Sequence, residues 1–433
     1  MPEQKVKLDV TKIENFVYDM STCVKCKGCY WVDHIYMPGI KFSYKCPSAE
    51  KFLFDSYGAA YGRFKTTLGL LEGKFGYSDR FLDTIYQCTM CGACDAGCKR
   101  NLDLEVSLAL EAIRIKCVQD GKGPMPEHKR IAENIAKEHN RYGSPHANRF
   151  KWLPKDVKPA AKADIVYFVG CNSSYVHTEI AQATARILAS TNTKFMLLDS
   201  EEWCCGYPLY STGQVDAFKK QVEHNIEAVK KAGASRVLVS CAEGYKTWTV
   251  DYPKVLGKST ADMDFKVVHL VEHVAQLLKD GELKFGNRIN IRVTYHDSCN
   301  LARLSEPWVH WEGTRGRWGI VNPPLKRRRG THGIYQQPRD ILSAIPGLEL
   351  EEMIRIKENA LCCGAGGGVR DAFKDFALWT ANQRLEEVRE IGAEAIISAC
   401  PYCKDNFSDA VKAARDEIKV YDISELIWQA VSK

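Results

Sequence analysis

The chain has 433 residues, 45% of them hydrophobic, with a formal net charge of +6 and eighteen cysteines. That length supports two or three domains with cores of their own, while so mild a charge, without basic runs interleaved with aromatics, argues against a nucleic-acid surface. No run approaches the roughly 18 to 20 apolar residues of a membrane helix and no N-terminal segment resembles a signal peptide, so a reducing, cytoplasmic compartment is expected, with membrane contact only through a partner.

Residues 1–120 carry two cysteine runs. Cys23, Cys26 and Cys29 form a CxxCxxC with Cys46 downstream, and Cys88, Cys91, Cys94 and Cys98 form a complete CxxCxxCxxxC. Disulfide frameworks belong to short exported chains, whereas thiols clustered in CxxC spacings point to metal. The spacing is that of a two-cluster ferredoxin, in which each run gives three thiolates to one cluster and its last cysteine to the other. The expected sets are therefore Cys23, Cys26, Cys29 and Cys98 for one [4Fe-4S] cluster, and Cys46, Cys88, Cys91 and Cys94 for a second. Two departures stand out: the first run's fourth cysteine is displaced far downstream, and Lys99 stands where proline is usual. A zinc ribbon is the alternative, but four cysteines within eleven residues suit a cubane better than two separate knuckles. Between the runs Phe52, Leu53, Tyr57, Phe64, Leu68 and Leu71 recur at helical spacing, broken by glycines. An amphipathic helix over Leu102–Cys117 leaves the second run, and Cys117 reads as a buried structural thiol.

Gly-Lys-Gly-Pro-Met-Pro at 121–126 and Tyr-Gly-Ser-Pro-His at 142–146 flank a helical stretch, Glu127–His139. Such punctuation marks a domain boundary, and residues 121–163 are expected to form a linker that wraps the surface without building a core.

The remainder reads as two repeated halves, 164–284 and 285–433. In the first, a strand (Asp164–Cys171) leads to a helix (176–190), a strand (Lys194–Leu198), Cys204-Cys205-Gly206, a helix (213–232), the strand Arg236–Ser240 and Cys241. In the second, the strand Ile291–Cys299 leads to Cys362-Cys363-Gly364, a helix (371–391), the strand Glu394–Ser398, then Cys400 and Cys403. The closing segments Lys266–Leu278 and Lys419–Val431 match as well. This is the pattern of a duplicated βα unit with parallel strands. The expected architecture is thus an α-helical two-cluster segment followed by two pseudo-symmetric α/β units. Ligands of such sheets lie beyond the carboxyl ends of the strands, so the two sets of cysteines should face each other.

The spacings are C-x32-CC-x35-C in the first half and C-x62-CC-x36-C-x2-C in the second. Five thiols, Cys299, Cys362, Cys363, Cys400 and Cys403, exceed what one tetrahedral zinc needs and favour a polynuclear iron–sulfur centre. The glycines from Gly364 to Gly368 fit neither a P-loop nor a dinucleotide fingerprint. Behind paired cysteines they let backbone N–H groups approach sulfur, which raises a cluster's potential. His296 is a candidate proton donor to a leaving thiolate, with a satisfied structural histidine as the plainer alternative. His269 and His273, on an amphipathic segment, read as structural. An insertion around 305–330 carries Trp308, Trp311, Trp318 and the run Lys326-Arg327-Arg328-Arg329. It reads either as a solvated charged face or as a lid or docking loop for an acidic partner or anionic substrate.

Paired "CCG" units after a two-cluster ferredoxin segment resemble the catalytic iron–sulfur subunit of heterodisulfide reductase in its membrane-linked, D-type form, over essentially the whole chain. The resemblance implies a noncubane [4Fe-4S] assembly on Cys299, Cys362, Cys363, Cys400 and Cys403, where a disulfide is cleaved and its thiolates captured. It implies a corresponding site at Cys171, Cys204, Cys205 and Cys241. Gly244 takes the place of the fifth cysteine there, which leaves a cubane [4Fe-4S] cluster or zinc open. Similar subunits also serve quinone-linked, sulfite-reduction and aromatic acyl-CoA reduction systems. The implied partners are flavin, haem or iron–sulfur subunits of a larger complex. The resemblance implies either a disulfide reductase or an electron relay whose chemistry lies on a partner.

Overall fold

The computed structural model describes residues 4–32, 41–53, 61–98, 104–316, 319–326 and 328–431. Tyr57, Lys99, Leu102, Trp318 and Arg327, singled out above, lie outside the described residues. Eleven strands are described: β1 (Gln4–Lys7), β2 (Ile165–Phe168), β3 (Phe195–Met196), β4 (Arg236–Val239), β5 (Lys266–His269), β6 (Ile291–Tyr295), β7 (Glu312–Arg315), β8 (Val321–Asn322), β9 (Leu348–Leu350), β10 (Ala395–Ser398) and β11 (Lys419–Asp422).

Two four-stranded sheets carry the repeat, in the orders β3-β2-β4-β5 and β9-β6-β10-β11, and every pairing within them is parallel. β2 and β10 are buried at every position, the uninterrupted apolar pattern that a sheet covered on both faces requires. The crossovers are helices such as Thr178–Ser190, Val215–Ala232 and Lys374–Glu390. The halves share one core, in which Val166 and Val239 belong with Val293 and Ile397. Thr178–Ser190 of the first half also packs on Ile423–Ala430 of the second. The expected duplication with parallel sheets is therefore what the chain forms.

The N-terminal segment is helical, with short helices at Pro47–Phe52, Tyr61–Leu71, Asp79–Tyr86 and Ala93–Cys98 before the longer Val106–Gln119. Cys117 is buried on that last helix, as a structural thiol should be. Two side chains of Val106–Gln119 fasten it to the rest. The guanidinium of Arg114, fully buried, donates to the carbonyls of Ile85, Tyr86 and Cys88 in its own segment, of Ser211 in the first half, and of Gly367 in the second. Glu111 pairs with Lys254 Nζ at 2.7 Å and accepts from the Tyr210 hydroxyl at 2.8 Å.

Two expectations are corrected. The segment 121–163 builds core: Ile131 and Ile135 sit in the shared core, and Trp152 and Val157 pack with Ile165 and Phe195. Its Pro and Gly residues mark the ends of a helix, Pro126–Glu138, with Pro126 at the first turn where a missing N–H costs nothing. One face of that helix is apolar because it docks. The insertion is likewise packed in part against the N-terminal segment. β7 pairs antiparallel with β1, and β8 pairs with β7. Trp308 and Trp311 are buried in the N-terminal core, and half-buried Arg328 donates to the carbonyls of Leu304 and Glu306. Lys326 and Arg329 remain exposed. No helix among the described residues is long and apolar enough to cross a membrane.

Candidate metal centres

Both N-terminal runs wind the same way. Lys25 and Lys27 in the first, and Met90 and Gly92 in the second, take positive φ at the second and fourth positions after the leading cysteine. Alternation of this kind curls a loop until its amides and thiols face one side. Cys46, Cys88, Cys91 and Cys94, one expected set of four, line one cavity together. Cys46 hydrogen-bonds Ser48 at 3.5 Å, and burial pushes its thiol up. For the other set, Cys29 and Cys98 share a core with partly buried Cys23, while Cys26 is exposed. A side chain on Gly97 would collide with the carbonyl of Gly28, so only glycine lets these two loops close up.

In the first half Cys171, Cys204, Cys205 and Cys241 line a second cavity, with Arg141, Asn172, Ser173, Glu243, Gly244 and Tyr402. Cys171 and Cys241 follow the carboxyl ends of β2 and β4, where parallel sheets present their ligands. The Cys171 thiol hydrogen-bonds that of Cys204, whose sulfur accepts from the Gly206 amide at 3.4 Å.

The five thiols of the second half meet. Cys362 contacts Cys299 and Cys363, Cys363 contacts Cys403, and Cys403 contacts Cys400. The Gly364 amide donates to the Cys362 sulfur at 3.3 Å, and Asn406 Nδ2 donates to the Cys363 carbonyl at 2.7 Å. The nest continues at both ends: Cys362 reaches the Cys91 thiol of the ferredoxin-like segment, and Cys400 reaches Cys241 of the first half. Buried thiols this close cannot all ionise. Their mutual hydrogen bonds hold Cys363 and Cys400 well below the usual thiol range and push Cys362, Cys403 and Cys241 well above it.

Such a donor set, soft and buried, fits iron–sulfur groups, whose metal ions make full deprotonation favourable. His296 offers a ring nitrogen within 4.8 Å of the Cys363 and Cys403 sulfurs. Arg384 Nε donates to its Nδ1 at 3.4 Å, leaving the proton of a neutral ring on Nε2, and Arg384 is itself held by Glu387 at 2.8 Å. In that tautomer Nε2 presents a proton donor, not a metal ligand, to the two sulfurs. His269 caps the helix Leu270–Lys279 through its side chain, and burial holds it down at about 3.

Among the residues at these centres, Arg303, Glu243, Arg141 and Arg384 escape the sequence reading. Arg303 follows Cys299 by four residues and Glu243 follows Cys241 by two, so proximity to a ligand was the only available signal. Arg141, on the misjudged linker, carried none.

Two family descriptions match the chain: a cysteine-rich domain (CCG) at residues 165–244 and 325–408, and a 4Fe-4S dicluster domain at residues 19–102. The D-type subunit of the dihydromethanophenazine:CoB–CoM heterodisulfide reductase of Methanosarcina barkeri is 34% identical over 422 residues, covering 95% of this chain and 94% of the relative. The B-type subunit of the fumarate reductase (CoM/CoB) of Methanothermobacter marburgensis is 27% identical over 95% of this chain and 72% of its own length. The EtfAB:quinone oxidoreductase of Syntrophomonas wolfei is 28% identical over 81% of this chain and 47% of its own length. With its thiols gathered in this way and its similarity running end to end, the chain belongs to the family of D-type heterodisulfide reductase subunits, iron–sulfur electron-transfer proteins.

Proposed function

We propose that this chain is the disulfide-reducing iron–sulfur subunit of a multi-subunit, cytoplasmic reductase, reaching a membrane only through a partner. Residues 1–120 form the electron-entry domain, 121–163 connect it, and 164–284 and 285–433 are the two CCG halves. Cys23, Cys26, Cys29 and Cys98 would hold one [4Fe-4S] cluster and Cys46, Cys88, Cys91 and Cys94 a second, which would supply one-electron transfer toward Cys299, Cys362, Cys363, Cys400 and Cys403, the residues that would hold a noncubane [4Fe-4S] cluster. Cys171, Cys204, Cys205 and Cys241 hold a further [4Fe-4S] cluster or zinc. The observation that carries the reading is the contact between Cys91 and Cys362, which joins the ferredoxin-like segment to the five-thiol nest.

Cleaving a disulfide consumes two electrons and two protons. The noncubane cluster, when bound, supplies one-electron storage next to a thiolate-capturing site. His296, oriented by Arg384, holds a proton at Nε2 beside Cys363 and Cys403 for the departing thiolate. The names of the heterodisulfide reductase relatives support a disulfide as substrate.

Anaerobically purified protein should contain about twelve irons, or about sixteen with a fourth cluster, and an EPR signal distinct from those of cubanes. It should reduce a small disulfide with reduced viologen as donor, and Cys403→Ala should abolish that activity. Unchanged turnover in this variant would refute the assignment. One observation favours a relay role instead: each of the five thiols is at most 7% exposed. Disulfide reduction seen only with a partner protein present would select that reading.

A further inference from the structure

Arg303 lies where the ferredoxin-like segment meets the second half. Its Nε donates to the Cys91 carbonyl at 2.7 Å, and its Nη1 donates to the carbonyls of Glu358 and Ala360 at 2.9 and 2.7 Å. Three fixed bonds leave the fork one orientation. Nη2, buried with the rest of the side chain, has no hydrogen-bond partner among the described residues. The guanidinium interacts electrostatically with the thiols of Cys91, Cys299 and Cys362. A buried cation with an unspent donor is expensive unless an anion meets it, and the anions this site offers are thiolates.

We propose that Arg303 is a positioning residue shared by two iron–sulfur centres: its charge and its free Nη2 donors stabilise the reduced state of both the centre at Cys91 and the centre at Cys299 and Cys362. The inference rests on the ligand sets proposed above. Reduction adds negative charge, and a nearby buried cation favours it, so both potentials are raised relative to a neutral residue. Because one side chain serves both centres, its charge would shift their potentials in the same direction. Arginine suits the place because its planar fork meets three carbonyls and still has a donor to spare, which the single ammonium of lysine cannot do.

The test is an EPR-monitored redox titration of the whole protein, purified anaerobically. In Arg303→Gln with normal iron and sulfide content, the midpoints of these two centres shift to more negative potential, while the centre at Cys23, Cys26, Cys29 and Cys98 keeps its own. Arg303→Lys, which retains the charge, shifts them less. Unmoved midpoints, or an equal shift of all centres, overturn the proposal. Should Arg303→Gln fail to assemble, wild-type protein carrying ¹⁵N-guanidino arginine is compared with labelled Arg303→Lys by pulsed EPR. A ¹⁵N coupling at both centres that is lost or weakened in the lysine variant supports the proposal, and a coupling undiminished in it overturns it. Wild-type protein without iron and sulfide would instead sink the ligand sets themselves.

Discussion

Cys241 and Cys400, each just past the carboxyl end of an inner strand of its half, hydrogen-bond through their thiols across the pseudo-twofold boundary. The two CCG sites are therefore neighbours with a common wall. Cys241→Ala should disturb both, lowering the iron content of the first-half site and altering the EPR signal of the five-cysteine centre. Cys171→Ala, whose thiol meets Cys204 on the far side, should affect the first-half site alone. Identical spectra from the two variants would mean the sites are not coupled in this way.

Gly364 and Gly206 follow the paired cysteines at φ of +93° and +88°, and each donates its amide to a cysteine sulfur. A side chain at such a φ costs about 1–3 kcal/mol. At Gly364 the new carbon would also stand 2.5 Å from the carbonyl oxygen of Ala377, whereas at Gly206 it would meet the ring of Phe218 at 2.6 Å. A ring can rotate aside and a helical carbonyl cannot. Gly364→Ala should thus lower stability more than Gly206→Ala in anaerobic urea titrations, and the reverse order would contradict this geometry.

His177 opens the helix Thr178–Ser190 of the first half and reaches Asp405 of the second at 3.6 Å, with Glu179 at 2.9 Å. Burial lowers its pKa, but the facing carboxylates of Asp405 and Glu179 outweigh that and hold it up at about 9. A histidine raised above its ordinary value of about 6.5 stabilises the fold fully below that pH, and this contribution fades as pH climbs through about 9. Wild-type protein should therefore lose stability between pH 6.5 and 9 by an amount that His177→Gln does not lose. Parallel pH profiles for the two proteins would refute the pairing.

Arg114→Met would strip five carbonyls, those of Ile85, Tyr86, Cys88, Ser211 and Gly367, of their donor. Each acceptor left buried and unpaired costs about 1–3 kcal/mol. The expected outcome is a large fall in the urea midpoint together with faster amide exchange around Cys88. Slow exchange retained there would show that Arg114 does not fasten the ferredoxin-like segment.

Much of the site was legible because ligand chemistry is written locally. The runs Cys23–Cys29 and Cys88–Cys98, the two Cys-Cys-Gly turns and the strands ending at Cys171 and Cys299 follow from spacing and hydrophobic pattern. The insertion was harder: Trp308 and Trp311 look like exposed docking chemistry until they are seen buried in the N-terminal core beside the β1–β7 pair, while Lys326 and Arg329 stay exposed. The linker misled for a similar reason, since Ile131 and Ile135 bury only because other segments come to cover them.

Sequence alone determined the cysteine inventory, the duplicated α/β pattern and the family, because these depend on residue type and near-neighbour spacing. Tertiary structure decided which thiols touch, Cys91 with Cys362 and Cys241 with Cys400, and where Arg303, Arg114 and His177 direct their charge. Those relationships join residues far apart in the chain, and nothing periodic records them: they arise when separate segments pack into one core and must satisfy, at a shared boundary, the polar groups each has buried.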